Sequence, residues 1–131
     1  MKFLLDTNVA SLVIRGNDAG INAALDRIDI DDLAISSITL AELQYGLAKP
    51  GFPKKLGGLI EEFLIRVRVL DWCSEQAGAY AKLRADIESI GVSLAPMDLM
   101  IAAHSHSLHS TLVTRDKAFG RVPKLRVADW R

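Results

Sequence analysis

The stretch KFLLDTNVASLVI, residues 2–14, decides the fold. Phe3, Leu4 and Leu5 form an apolar run too short for a helix, Asp6 follows at once, and Thr7 opens a segment with helical spacing. A strand that ends on an aspartate and passes straight into a helix is the first unit of an α/β chain. Working outward, the same alternation recurs. NDAGINAALDRI predicts a helix capped by Asn17 or Asp18, and LAISSI a second strand. TLAELQYGLA predicts a helix stopped at Lys49-Pro50-Gly51. PKKLGGLIEEFLIRVR predicts another, entered through Pro53, and VLDW a third strand. In SEQAGAYAKLRADIESIG the apolar positions Ala77, Tyr80, Ala81, Ile87 and Ile90 predict the inward face, with Gly91 as the stop. Pro96 opens the helix PMDLMIAAHSHS, and TLVT and LRVADW close the series as strands four and five.

Strands separated by helices pair in parallel through right-handed crossovers, with helices on both faces. Ligands of such sheets bind beyond the carboxyl ends of the strands. A chain of 131 residues, half of them apolar, is expected to form a single α/β domain over residues 1–131. Sixteen basic residues balance sixteen acidic ones, so no global field announces nucleic acid. No apolar stretch approaches the ~20 residues of a membrane span, and the expected location is cytoplasmic. The lone Cys73 can form no internal disulfide and lacks the partners of a zinc cluster.

Four carboxylates mark the ends of these elements: Asp6 after strand one, Glu42 and Asp98 near helix starts, and Asp116 after strand four. Each has a capping explanation. Asp6 can cap the helix at Thr7, Thr39 and Glu42 fit a capping box, Asp98 suits a helix N-terminus, and Asp116 can cap a turn at Lys117. Capping alone has no reason to prefer one edge of the sheet, and all four can face the same edge. Brought together, they repel by several kcal/mol and need a cation, and oxygen-only ligands select magnesium or manganese over zinc or copper.

LLDTNV, SSITLAELQYG, LAPMDLMIAAHS, TLVTRDKAF and LRVADW, in this order and across essentially the whole chain, resemble the PIN-domain nucleases and, among them, the VapC-type toxins of bacterial toxin–antitoxin pairs. The resemblance implies a parallel five-stranded sheet in the order 3-2-1-4-5. It assigns Asp6, Glu42, Asp98 and Asp116 as catalytic metal-binding carboxylates, with Thr7 and Thr114 orienting them. It implies a Mg²⁺- or Mn²⁺-dependent endoribonuclease that attacks RNA with metal-activated water and leaves 5′-phosphate and 3′-hydroxyl ends. It also implies a cognate VapB-type antitoxin and a homodimer.

Arg115 and Lys117, in a basic C-terminal segment with Arg121, Lys124, Arg126 and Arg131, are candidates to hold RNA phosphates, as is Arg84. Arg84 also has Glu88 four residues on as a partner. With few aromatics, the RNA is expected to be structured rather than stacked base by base. At about 100° per residue, His104 is turned about 240° from Asp98 and points away from the acidic face. With His106 and His109 it is assigned to solvent or an interface, not to catalysis. Trp72 and Trp130 are read as packing anchors. The apolar surplus at Leu43, Tyr45, Leu47, Phe52, Leu59 and Phe63 is expected to serve mainly the core, with part of it forming a groove for a partner helix. Two other classes fit the element order: a receiver-like phospho-acceptor using Asp71, and a catalytically silent scaffold. The first lacks an acidic partner beside Asp6 and a lysine after strand five, and retention of all four carboxylates weighs against the second.

Overall fold

A computed structural model describes residues 2–131. Its strands are β1 (Phe3–Leu5), β2 (Leu33–Ser36), β3 (Arg68–Leu70), β4 (Thr111–Val113) and β5 (Val127–Ala128). They form one parallel sheet in the order β3-β2-β1-β4-β5. The expected order is therefore the observed one. The helices are α1 (Thr7–Arg15), α2 (Ala19–Leu25), α3 (Ser37–Ala48), α4 (Lys54–Arg66), α5 (Ser74–Ser89) and α6 (Pro96–Ser107). None is long and apolar enough to cross a membrane.

The two-residue period of the strands divides the core into two layers. Leu4, Ala34 and Leu112 point to one face, against Leu83 and Ile87 of α5 and Leu99, Ala102 and Ala103 of α6. Their neighbours Leu5, Ile35 and Val113 point to the other, against Val9, Ala10 and Ile14 of α1, Leu43 of α3 and Ile60 of α4. β1 lies at the centre of the sheet, and Leu4 and Leu5 are both fully buried. Its register, Leu5 opposite Ile35 and Val113, aligns the carboxyl ends of three strands. Asp6 and Ser36 leave the sheet side by side.

Local signals explain most boundaries. Asp18 caps α2, its carboxylate accepting the Ile21 amide at 3.0 Å. Gly16 ends α1 at φ 72° and Gly91 follows α5 at φ 75°, a conformation costly for residues with a Cβ. Three expectations are corrected. Helix α3 begins at Ser37, not Thr39, because Ser36 is its N-cap and accepts the Ile38 amide at 3.0 Å. On α5, Ile87 is buried and Tyr80 packs against the core as expected, but Gln76 and Leu83 complete the inward face and Ala77, Ala81 and Ile90 are exposed. β3 stops at Leu70, leaving Asp71 and Trp72 beyond it.

His104 is a fourth correction. It is buried, 1% exposed, and its Nδ1 lies 2.7 Å from the Ser36 hydroxyl, so it braces α6 against the start of α3 instead of facing solvent. Burial holds its pKa below the ordinary value, an effect only partly offset by the charge of Asp71. Trp72 packs edge-on against this imidazole and against Tyr80, and Trp130 packs against Phe3. Both tryptophans are anchors.

Candidate active site

Asp6 is 4% exposed at the carboxyl end of β1. Its amide donates to the Val113 carbonyl at 3.1 Å, which locks it to β4, and its Oδ1 accepts the Val9 amide at 2.8 Å. It is a helix cap, as sequence alone allows, and the cap bond uses Oδ1. Burial pushes its pKa above the ordinary carboxylate range; the Thr114 hydroxyl and the Val9 amide oppose the rise, and the charges of Asp116 and Glu42 add to it.

Glu42 is half-buried, in the second turn of α3. Because Ser36 is the cap, the proposed capping box does not form, and Glu42 is released for another partner. Thr7 supplies it, donating its hydroxyl to Oε1 at 2.7 Å. Thr39, fully buried, has its hydroxyl 3.2 Å from that of Thr7. Thr7 has one hydroxyl proton, already given to Glu42, so Thr39 is the donor and the chain runs Thr39 to Thr7 to Glu42. Its signal in the sequence was the i, i+3 spacing of Thr39 and Glu42, which put both on one helix face.

Asp98 stands in the first turn of α6. Partial burial raises its pKa, and Asp116, Glu42 and Asp6, in that order, raise it further. Asp116 is exposed at the head of a 3-10 turn, Lys117–Arg121. Its Oδ1 accepts the Ala118 amide at 2.9 Å, and its own amide donates to the Thr114 hydroxyl at 3.1 Å. Four carboxylates from four segments thus share one edge and feel one another's charge. Among the described residues, no three His, Cys, Asp or Glu side chains close on a common point tightly enough to bind an ion directly. The arrangement is an open one. Such a set of oxygen donors, two of them carrying burial-raised pKa values, fits a hydrated divalent cation that takes only one or two carboxylates and keeps waters between the rest.

The basic residues divide. Lys117 is exposed beside Asp116, with no ion pair within 4.0 Å among the described residues. Arg84 is held by Glu88 at 2.8 Å and by the Tyr80 hydroxyl at 3.1 Å. Arg115, expected to face RNA, is instead forked onto Asp18, with both bonds at 2.8 Å. Of the surplus apolar residues, Leu43 is buried and Leu47, Phe52 and Phe63 pack against the core, while Tyr45 is 67% exposed. Next to the acidic edge lies a cavity of about 540 Å³ whose lining includes Thr7, Glu42, Tyr45, Phe52, Ile60 and Met97. Arg15, which also lines it, was not singled out from the sequence.

The parallel sheet and its acidic edge define a PIN-type nuclease, and the chain belongs to the PIN-domain family, whose model matches residues 3–125. Its relatives are more particular: VapC ribonucleases. It is 35% identical over 131 residues to the tRNA(fMet)-specific endonuclease VapC of Shigella flexneri, covering 99% of this chain and 98% of the relative. To ribonuclease VapC2 of Haemophilus influenzae it is 33% identical with the same coverage. Among solved structures, the DNA-bound VapBC of Salmonella typhimurium superposes with a TM-score of 0.90 at 34% identity, covering 100% of this chain and 99% of that one.

Proposed function

We propose that this chain is the toxin of a toxin–antitoxin pair, a divalent-metal endoribonuclease whose site is Asp6, Glu42, Asp98 and Asp116, served by Mg²⁺ or Mn²⁺. The observation that carries the reading is the convergence of these four acids on one sheet edge, with Asp6 and Asp98 destabilised as anions by burial and by the other carboxylates. A divalent ion bound there supplies Lewis-acid polarisation of the phosphoryl group and acidifies water for attack.

The chain's own residues do the placing. The Val9 amide holds Oδ1 of Asp6 at 2.8 Å. The Thr39–Thr7 relay orients Glu42 toward the same edge. Asp98 adds charge from the positive end of α6. Lys117 meets substrate phosphate beside Asp116. Arg84 stays with Glu88 and contributes to RNA only by exchanging that partner.

The substrate is inferred to be a structured RNA in the cytoplasm. The name of the Shigella flexneri relative makes tRNA(fMet) the first candidate. The partner is inferred to be a VapB-type antitoxin, supported by the VapBC complexes among the structural neighbours. Its place is the cavity beside Thr7 and Glu42, where an arginine from the antitoxin can pair with the carboxylates and displace the ion. Pairing of two copies rests on the family resemblance. One nuclease domain accounts for residues 1–131.

The test is cleavage of transcribed tRNA(fMet) and of total RNA by protein freed of antitoxin. Cutting with Mg²⁺ or Mn²⁺, its loss in EDTA and its absence in Asp98→Asn are expected. Undiminished cutting in EDTA overturns the mechanism, and equal cutting of every RNA overturns the preference for structure.

A further inference from the structure

Arg115 stands between Thr114 and Asp116, yet its side chain turns away from the acidic edge. Nη1 and Nη2 donate to Asp18 Oδ2 and Oδ1, each at 2.8 Å, and Nη2 also donates to the Trp130 carbonyl at 2.7 Å. Asp18 is at the same time the cap of α2. Arg131 reaches back, its Nη2 donating to the Arg115 carbonyl at 3.4 Å. Gly20, in the first turn of α2, permits this approach: a Cβ there would stand 2.5 Å from the Arg131 carbonyl carbon and 2.6 Å from the Trp130 oxygen. Three segments distant in sequence therefore meet at one guanidinium.

The side chains of Arg115 and Asp18 are only 24% and 22% exposed. Arg115 Nε is buried without a hydrogen-bond acceptor, and Asp129 Oδ1 lies 3.9 Å from it. A planar fork with both terminal nitrogens committed has little left for phosphate, but it is well suited to fixing backbone. The backbone it fixes is the Thr114–Asp116 turn, where the Thr114 hydroxyl already accepts the Asp116 amide.

The geometry points to Arg115 as a positioning residue: paired with Asp18, it anchors this turn from behind so that the Asp116 carboxylate is presented to the acidic edge. The inference rests on the assignment of Asp116 to the site made above. Lysine cannot replace the arginine, because a point charge does not reproduce two parallel bonds.

Asp18→Asn, Arg115→Lys and the double variant test it in antitoxin-free protein. Asparagine still caps α2, so Asp18→Asn removes the ion pair and spares the helix. Misplacing Asp116 is expected to lower kcat and weaken Mn²⁺ binding by about ten- to a hundredfold, with KM for RNA nearly unchanged. Amide exchange at Asp116 and Ala118 should quicken in both single variants, and the double variant should be no worse than the worse single one. Wild-type kcat and Mn²⁺ affinity in proteins that merely melt earlier would mean that the pair only supports the fold, and the inference would be wrong. A raised KM with intact kcat in Arg115→Lys would return the residue to RNA binding and also overturn it. Asp116→Asn is the companion measurement. Wild-type cleavage by that variant sinks the site assignment itself, and this failure is recognisable because the Asp18→Asn amides still loosen.

Discussion

Thr7 donates its hydroxyl to Glu42 at 2.7 Å, tying the first turn of α1 to the second turn of α3 beside the carboxylate of Asp6. The bond fixes which oxygen of Glu42 is occupied. Thr7→Val keeps the shape and removes the donor. Activity on RNA is expected to fall at least about tenfold, with a stability change of about 1 kcal/mol, while Thr7→Ser keeps most of both. Steady-state rates beside thermal melts decide it. Equal rates for valine and threonine would remove Thr7 from the site.

The raised pKa values of Asp6 and Asp98 carry a sign. A carboxyl group whose folded pKa exceeds its unfolded one contributes stability that is fully present below the unfolded value and lost as pH rises through the folded one. In protein stripped of divalent metal, these two groups therefore destabilise the fold increasingly as pH rises from their unfolded through their folded values. Asp98→Asn should melt above wild type at neutral pH without metal, with the gap closing in acid. Added Mn²⁺ should raise the wild-type melting temperature and not that of the variant. A variant that melts below wild type under every condition would mean that Asp98 is a stabilising helix-end charge and nothing more.

Leu4 and Leu5 show what the sequence made legible. Successive apolar residues in a short run had to face opposite layers, and every strand and crossover followed from repeats of that pattern. Competing local signals were harder to separate. Ser36, Ser37 and Thr39 can all cap a helix, and Ser36 prevails because it is paired with Leu70 in the sheet and braced by His104, a residue 68 positions away. The α5 face was misjudged because alanine is tolerated on either side of a helix. Arg115 was misread because its partner, Asp18, lies 97 residues earlier, and nothing local marks such a pair.

Gly20 offers a prediction opposite to the usual rule. Alanine in a helix normally gains up to about 1 kcal/mol over glycine. Here its methyl would strike the backbone of Trp130 and Arg131, so Gly20→Ala is expected to destabilise by about 1–3 kcal/mol and to loosen the Trp130–Phe3 contact. Urea unfolding followed by tryptophan fluorescence reads both effects. A more stable Gly20→Ala protein would show that the tail does not lie against α2.

His104 carries the opposite pH dependence from that of the acids. Its folded pKa is depressed by burial, so the stability linked to it is present above the unfolded value of about 6.5 and is lost as pH falls from there through the folded value. His104→Phe fills the space but leaves the Ser36 hydroxyl with only the Ile38 amide, at an expected cost of about 1–3 kcal/mol at neutral pH. Below pH 6.5 that cost should shrink, because the unfolded wild type takes up a proton that the buried ring resists, and the variant has no such group. Unfolding free energies of the two proteins in EDTA at a series of pH values give the difference directly, and the acids, common to both, cancel. A difference that is flat between neutral pH and pH 5 would show that His104 does not titrate across the fold and that its bond to Ser36 acts through packing alone.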